Sequence, residues 1–277
     1  MPEPVPSLPA VLTFAATDPT SGAGLQADLL ALASMGCYPL SVVTALTVQD
    51  TAGVESFLAI DPDWVADQAR CILEDMPVAA FKMGMLGSTE IVTVVAEVVS
   101  DYPDEPLVLD PVFASGRGDE FAGDDMILAI RELLVPQSTV VTPNITELRR
   151  LAGEDDNDDV GLAECAQVLL DSGCEYVLVT GTHDSTADVV NTLYHRGGVL
   201  RADTWQRLPG SYHGSGCTLA SALAANLARG LDIGDAVYEA QDYTWHALAH
   251  AFRPGMGQYL PDRLFWAREG AGDADGK

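Results

Sequence analysis

The stretch Ala10–Gly36, "AVLTFAATDPTSGAGLQADLLALASMG", decides the fold. Its first eight residues, 10–17, form an apolar run that suits a buried strand. The turn-forming residues Asp18, Pro19, Thr20 and Ser21 end that run. Residues 22–35 read as a helix, and Gly36 stops it. A strand that passes through a glycine-bearing turn into a helix is the opening of a βαβ unit. The alternation then repeats. Strands are predicted at 40–48, 79–84, 106–110, 139–144 and 176–181. Helices are predicted at 61–76, 88–102, 124–136, 145–153 and 162–174. Asp61 is the N-cap of the first of these, with Pro62 at its first helical position, and Ser88 caps the next. Residues 189–205 read as a hairpin turning at Arg196-Gly197-Gly198, and the chain from Cys217 onward as mainly helical. Alternation sustained over roughly 170 residues predicts an α/β fold with a mainly parallel central sheet flanked by helices on both faces. No linker or internal repeat appears, so residues 1–268 read as one domain and residues 269–277 as a disordered tail.

Composition narrows the function. The chain has 277 residues, 48% of them apolar, which is enough for a large core. No apolar run approaches the roughly eighteen residues of a membrane span. The N-terminus "MPEPVPSLPA" has neither the basic start nor the apolar stretch of a signal peptide, and a cytoplasmic location is expected. The five cysteines, Cys37, Cys71, Cys165, Cys174 and Cys217, contain no C-x-x-C pair. That argues against a disulfide framework or a zinc site. Four read as small buried hydrophobes; Cys217 stands apart because glycines precede it. The histidines show no metal-ligand spacing. The formal net charge is −27, and the only lysines are Lys82 and Lys277. Such a surface repels nucleic acid and anionic membranes. An anionic ligand would need a local positive field from helix N-termini, a metal ion or a few arginines.

In parallel sheets ligands collect beyond the C-terminal strand ends. Asp18, Gln49, Asp110, Asn144 and Thr180 all fall at such ends. In "HGSGCTLASALAANLARG" (213–230), Gly214 and Gly216 allow successive N–H groups to converge before a helix begins near Thr218. A free helix N-terminus binds phosphate; the alternative is a buried helix whose glycines permit close packing. Cys217 reads as a nucleophile paired with His213, as a general base whose thiolate the helix N-terminus favours, or as a structural residue. Asp28 lies inside the helix after the first strand, where it accepts from a ligand amine or faces water. The amide of Gln49 suits a heterocycle edge, or an exposed turn. Asp110, Asn144 and Glu147 suit hydrated Mg²⁺; the alternative for the last two is an N-cap with a helix-dipole charge. Lys82, set among apolar neighbours in "AAFKMGML", is either snorkelling or paired.

Taken together, "DPTSGAGLQADL", "SVVTALTVQDTAGV", "FKMGMLGS", "VLDPVFASG", "VTPNITEL" and "HGSGCTLASALAANLA" resemble the hydroxymethylpyrimidine/phosphomethylpyrimidine kinases of thiamine biosynthesis, in the ribokinase-like superfamily. The resemblance runs from about Val11 to Arg229 in matching order and spacing. It implies a three-layer fold and usually a homodimer. It implies phosphorylation by MgATP of 4-amino-5-hydroxymethyl-2-methylpyrimidine, and of its monophosphate to the diphosphate. On this resemblance Gly214, Ser215, Gly216 and Cys217 form the anion hole. Ala16, Asp28, Gln49, Met85 and His213 surround the pyrimidine, Asn144 and Thr180 meet the nucleotide, and Asp110 and Glu147 hold the magnesium. A pyridoxal or pyridoxine kinase and a non-catalytic pyrimidine-binding regulator are the other readings. The sequence departs from the family at Ala16, which adds a methyl beside the pyrimidine, and at Thr180, which lacks the usual lysine charge. Arg117 is a candidate replacement cation. Cys217→Ala is expected to harm phosphorylation of the alcohol more than of the monophosphate, which is already ionised.

Overall fold

The computed structural model describes residues 8–114, 118, 120–154, 159–181 and 187–269. Strand β1 (Ala10–Ala15) leads into helix α1 (Gly24–Ser34) and strand β2 (Tyr38–Val43). Strands β3 (Ala45–Gln49) and β4 (Val54–Ala59) follow, then α2 (Pro62–Asp75), β5 (Ala80–Met83), α3 (Thr89–Val99) and β6 (Leu107–Leu109). Next come α4 (Asp124–Ala129), β7 (Val140–Val141), α5 (Ile145–Ala152), α6 (Leu162–Asp171) and β8 (Tyr176–Val179). The chain closes with β9 (Asp188–His195), β10 (Gly198–Gln206), α7 (Ser215–Ala228), α8 (Ile233–Ala249) and α9 (Phe265–Glu269).

The main sheet has the order β10-β9-β8-β7-β6-β5-β1-β2. Strands β2, β1, β5, β6, β7 and β8 run parallel, and the β9–β10 hairpin adds an antiparallel edge. Alternate side chains enter different cores, as strand pleating demands. Leu12, Phe14, Phe81, Met83, Leu107, Leu109 and Val141 pack with residues of α2 to α6. Val11, Ala80, Val108 and Val140 pack with α1, α7 and α8 on the other face. Both faces are therefore buried, which is why these strands read as continuous apolar runs rather than alternating ones. The chain leaves β1 toward β2 on one side and returns to β5 on the other. The crevice beyond the C-terminal end of β1 is thus a topological switch point.

Several boundaries differ from the sequence reading. The strand predicted at 40–48 is two strands. β2 ends at Val43, and β3 leaves the main sheet to pair with β4 as a separate antiparallel hairpin. Thr44 makes the break: its hydroxyl donates to the Met85 carbonyl at 2.6 Å, and its N–H to the Ala15 carbonyl at 3.1 Å. An unbroken apolar run carries no signal for such a departure. The helix predicted over 124–136 is regular only as α4. A wider π-turn over Ile130–Leu134 and a 3-10 turn over Val135–Gln137 follow, where Pro136 cannot donate. Helix α7 starts at Ser215, three residues earlier than predicted. Of the four cysteines read as buried, Cys37, Cys165 and Cys174 are, but Cys71 is exposed. Arg117 and nearly all of the predicted tail lie outside the described residues. No helix among the described residues is long and apolar enough to cross a membrane.

Candidate active site

Two glycine turns meet above the switch point. In the first, Asp18 is fully buried and accepts from the Thr20 N–H at 2.8 Å, the Ala23 N–H at 2.7 Å and the Thr20 hydroxyl. His213 Nε2 lies 3.0 Å from the same carboxylate, so the first turn holds the start of the second. Burial works against the Asp18 charge, but the bonds from His213, Ala23 and Thr20 outweigh it and keep the group below its ordinary value. In the second turn, Gly214 has φ +83° and is the N-cap of α7. A Cβ there would lie 1.8 Å from the Gly22 carbonyl oxygen, so only glycine lets the turns touch. Helix α7 is buried along Thr218–Asn226 and has no acidic residue in its first turn. The two readings of this segment are thus compatible: it is a buried helix, and its free N-terminus faces a cavity.

That first cavity, of about 200 Å³, is lined by Ala16, Gln49, Lys82, Met85, Asp110, Asn144, Glu147, Thr180, His213 and Gly214 to Cys217. All but one of the residues assigned from the resemblance line it. Asp28 does not. It is fully buried beneath the floor, where Lys82 Nζ donates to both of its oxygens at 3.0 Å. The Thr13 and Ser221 hydroxyls also donate to it, at 2.7 and 2.8 Å. Its lone pairs are occupied, so Asp28 anchors Lys82 and is neither a ligand contact nor a solvated surface charge. The buried lysine, on strand β5, finds its partner on helix α1, which no local pattern reveals.

Lys82 Nζ also lies 3.8 Å from Asp110, whose Oδ2 is buried without a hydrogen-bond partner. Burial alone would lower the lysine, but Asp28, with Asp110 behind it, raises it above its ordinary value. Burial pushes Asp110 up to about 6, with Lys82 opposing and Asp28 adding. Glu147 is pushed up to about 8 by burial and then by the charge of Asp110. Glu147 also forms a capping box: its carboxylate accepts from the Asn144 N–H at 2.8 Å, and Asn144 accepts from the Glu147 N–H at 3.0 Å. The capping reading therefore holds, with the carboxylate still on the cavity wall. Among the described residues no group of three or more His, Cys, Asp or Glu is arranged to hold a metal ion.

Cys217 is half-buried on the cavity wall. Burial pushes its thiol up to about 12; Lys82 opposes this, while Asp110 and Asp28 add to it. The helix N-terminus does not prevail over the two carboxylates, and the thiol is protonated at neutral pH. Of the three readings of Cys217, this weighs against the two that need a thiolate.

Gln49 reaches the cavity from the detached hairpin. Its Nε2 donates to the Thr47 hydroxyl at 2.8 Å, which donates to the Thr17 carbonyl at 2.7 Å. That order leaves Oε1 as the free acceptor. Ala16 and Met85 form an apolar wall with Val112 and Phe121, neither of which stood out in the sequence.

A second cavity, of about 330 Å³, lies on the other side of the α7 turn. Thr180, Tyr212, Ser215, Gly216 and Leu219 line both cavities. Beyond them the wall is mainly polar and aromatic, with Asn191, Trp205, Gln241 and Trp245, and it includes Arg207. A chain of amides braces it. The Gly181 N–H donates to Asn191 at 3.0 Å, Asn191 to Gln241 at 2.8 Å, and Trp205 Nε1 to the same Gln241 oxygen at 2.9 Å.

The layered sheet, the switch-point cavity and the glycine turn at the head of a buried helix define a ribokinase-like phosphotransferase. Comparison with known proteins places it more narrowly. The chain belongs to the phosphomethylpyrimidine kinase family, whose sequence model matches residues 18–262. It is 37% identical over 241 residues to the hydroxymethylpyrimidine/phosphomethylpyrimidine kinase of Escherichia coli K12, covering 87% of this chain and 91% of that one. Its fold is similar to the pyridoxal kinase of Staphylococcus aureus in complex with ADP, with TM-score 0.86 and 28% identity, covering 95% of this chain and 96% of that one. It is also similar to the phosphomethylpyrimidine kinase of Clostridium difficile 630, with TM-score 0.75 and 30% identity, covering 87% of this chain and 99% of that one.

Proposed function

We propose that this protein transfers the γ-phosphoryl group of ATP to 4-amino-5-hydroxymethyl-2-methylpyrimidine, and then to the resulting monophosphate. The observation that carries this reading is the shared wall. Ser215 and Gly216, at the N-terminus of α7, border both the smaller cavity with its buried charges and the larger aromatic one. A pyrimidine alcohol in the first and a nucleotide in the second would meet at one turn of free N–H groups. Positioning and charge stabilisation are the main needs of phosphoryl transfer. In the first cavity the Gln49 oxygen suits the 4-amino group, and Ala16, Met85, Val112 and Phe121 suit the ring and methyl. In the second, Trp205 and Trp245 suit a purine face, while Thr180, which lines both cavities, and Asn144 in the first would meet the phosphates.

The donor set fits magnesium. Asp110 offers an unpartnered buried oxygen, and burial raises both Asp110 and Glu147, in Asp110 despite the Lys82 charge 3.8 Å away. Two carboxylates suffice for an ion that keeps waters and takes phosphate oxygens. When bound, magnesium neutralises charge on the ATP phosphates. Lys82 holds the Asp110 side of the floor, and the Cys217 thiol acts as a positioned donor rather than a base. A homodimer belongs to the same reading. Leu46, Val48 and Leu58 are exposed on the outer face of the β3–β4 hairpin and would be covered by a second copy.

The test is a steady-state assay with MgATP on the pyrimidine alcohol, its monophosphate and pyridoxine, following ADP release and product identity. Turnover of the first two supports the proposal. The likeness to the pyridoxal kinase gives a second reading, which turnover of pyridoxine alone would select. No turnover of any of them, with the pyrimidine still bound, would leave a binding protein.

A further inference from the structure

Arg263 lies just beyond the matched family region, on the segment between α8 and α9, and is 3% exposed. Its guanidinium reaches into the gap between the two glycine turns. Nη2 donates to the Gly22 carbonyl at 2.6 Å and to the Gly214 carbonyl at 3.4 Å. Nη1 donates to the Ser21 carbonyl at 3.2 Å, and Nε to the Thr218 hydroxyl at 3.0 Å. The Thr218 hydroxyl in turn donates to the Gly214 carbonyl at 2.7 Å. The backbone of Arg263 is itself fixed, because its carbonyl accepts from Ser34 at 2.6 Å and from Tyr243 at 2.8 Å.

Two features separate this from an ordinary buried ion pair. First, every one of these bonds goes to a neutral oxygen. Asp18, Asp28 and Asp262 are bonded by His213, Lys82 and, at 3.0 Å, Arg268 instead, although the charges of Asp28 and Asp18 still act on the guanidinium from farther off. A buried guanidinium without a counterion is costly unless an anion completes it. Second, in a trans peptide the N–H points opposite to the C=O. The Gly214 carbonyl, which also accepts from the Thr218 N–H at 3.0 Å, is held back toward Arg263 and Thr218, and this turns the following N–H, that of Ser215, toward the cavities.

We propose that Arg263 is a positioning residue for phosphoryl transfer: by tying the Gly22 and Gly214 carbonyls together it sets the direction of the N–H groups in the α7 turn, and it places a positive charge beneath them. It acts through the turn and does not touch substrate. The inference rests on the kinase reading above and adds a residue that reading does not use. It also offers a source of local positive field in a chain of net charge −27.

The experiment compares Arg263→Gln and Arg263→Lys with wild type, by calorimetric titration with MgADP and with the non-hydrolysable triphosphate analogue AMP-PCP, and by turnover. With Gln, affinity for AMP-PCP should fall about tenfold or more and kcat by about a hundredfold, as for loss of an oriented charge stabiliser. Affinity for ADP and the pyrimidine KM should stay within about threefold. Lysine keeps the charge and should restore AMP-PCP affinity to within about threefold of wild type. If the Gln variant does not fold, the lysine variant decides: a loss of AMP-PCP affinity equal to its loss of ADP affinity overturns the proposal. So does a Gln variant that melts lower but binds both nucleotides and turns over normally, since that describes a merely structural residue. A wild type that binds AMP-PCP but phosphorylates none of the three alcohols removes the substrate reading and leaves the Arg263 comparison intact. A wild type that binds no AMP-PCP overturns both.

Discussion

The two cavities that share the α7 turn are made of opposite materials. The first stands on buried charge: Lys82 and Asp28 in full contact, Asp110 with an oxygen left over, and Glu147 held with a raised pKa. The second is braced by neutral amides and has Arg207 on its wall, while the Arg201–Asp203 pair, 2.8 Å apart, lies at the partly exposed end of the amide chain. Buried charge fixes geometry but destabilises the empty site, whereas amides and indoles shape a wall at little electrostatic cost. The contrast says where this fold gives up stability for chemistry, and where it does not.

The strongest way to break that contrast is to remove Lys82. Lys82→Met leaves Asp28 and Asp110 without their cation and should cost about 3–5 kcal/mol in urea unfolding, with turnover lost. The double variant Lys82→Met/Asp28→Leu should recover most of the stability but none of the activity. A single variant as stable as wild type would mean that the pair carries no charge in the folded protein.

Asp110→Asn tests the opposite sign. Asp110 and Glu147 bind protons more tightly in the folded chain than in the unfolded one. The stability they contribute is therefore present below about pH 4 and is lost as pH rises through about 6 for Asp110 and about 8 for Glu147. Asp110→Asn should abolish turnover yet raise unfolding free energy by about 2 kcal/mol at pH 8, with little gain at pH 4. MgCl₂ should likewise raise the wild-type Tm more at pH 8 than at pH 5. Equal gains at both pH values would contradict this account.

Cys217 sharpens the comparison at the shared turn. With the thiol protonated, Cys217→Ala should lower kcat for the alcohol and for the monophosphate alike, by about tenfold. A loss confined to the alcohol would restore the general-base role expected from the sequence. The smallest effect belongs to the second cavity. Trp205→Phe keeps the ring but removes the bond to Gln241, costing about 1 kcal/mol. It should raise the KM for ATP about twofold to threefold and leave the pyrimidine KM unchanged.

Much of this was legible in one dimension. The strand-turn-helix opening, the Asp61-Pro62 and Ser88 caps and the β9–β10 hairpin follow from local rules that a few neighbouring residues obey. The polar residues at strand ends were legible as well, because a parallel sheet gathers those ends on one side. Gly214 was readable as a turn residue, though not its reason, a carbonyl from a turn some 190 residues earlier.

What only tertiary structure decided was pairing between distant groups. Asp28 looked like a ligand contact until Lys82, brought in by β5, occupied both of its oxygens. Cys217 looked activated by its helix until burial and two facing carboxylates set its charge. Gln49 reached the site because β3 left the main sheet at Thr44. Arg263 carried no local signal at all, since its partners come from both glycine turns and from α7. Periodicity and caps are properties of neighbours along the chain and can be read from it. The charge state of a buried group depends on which dipoles and ions surround it, and only the packed fold assembles them.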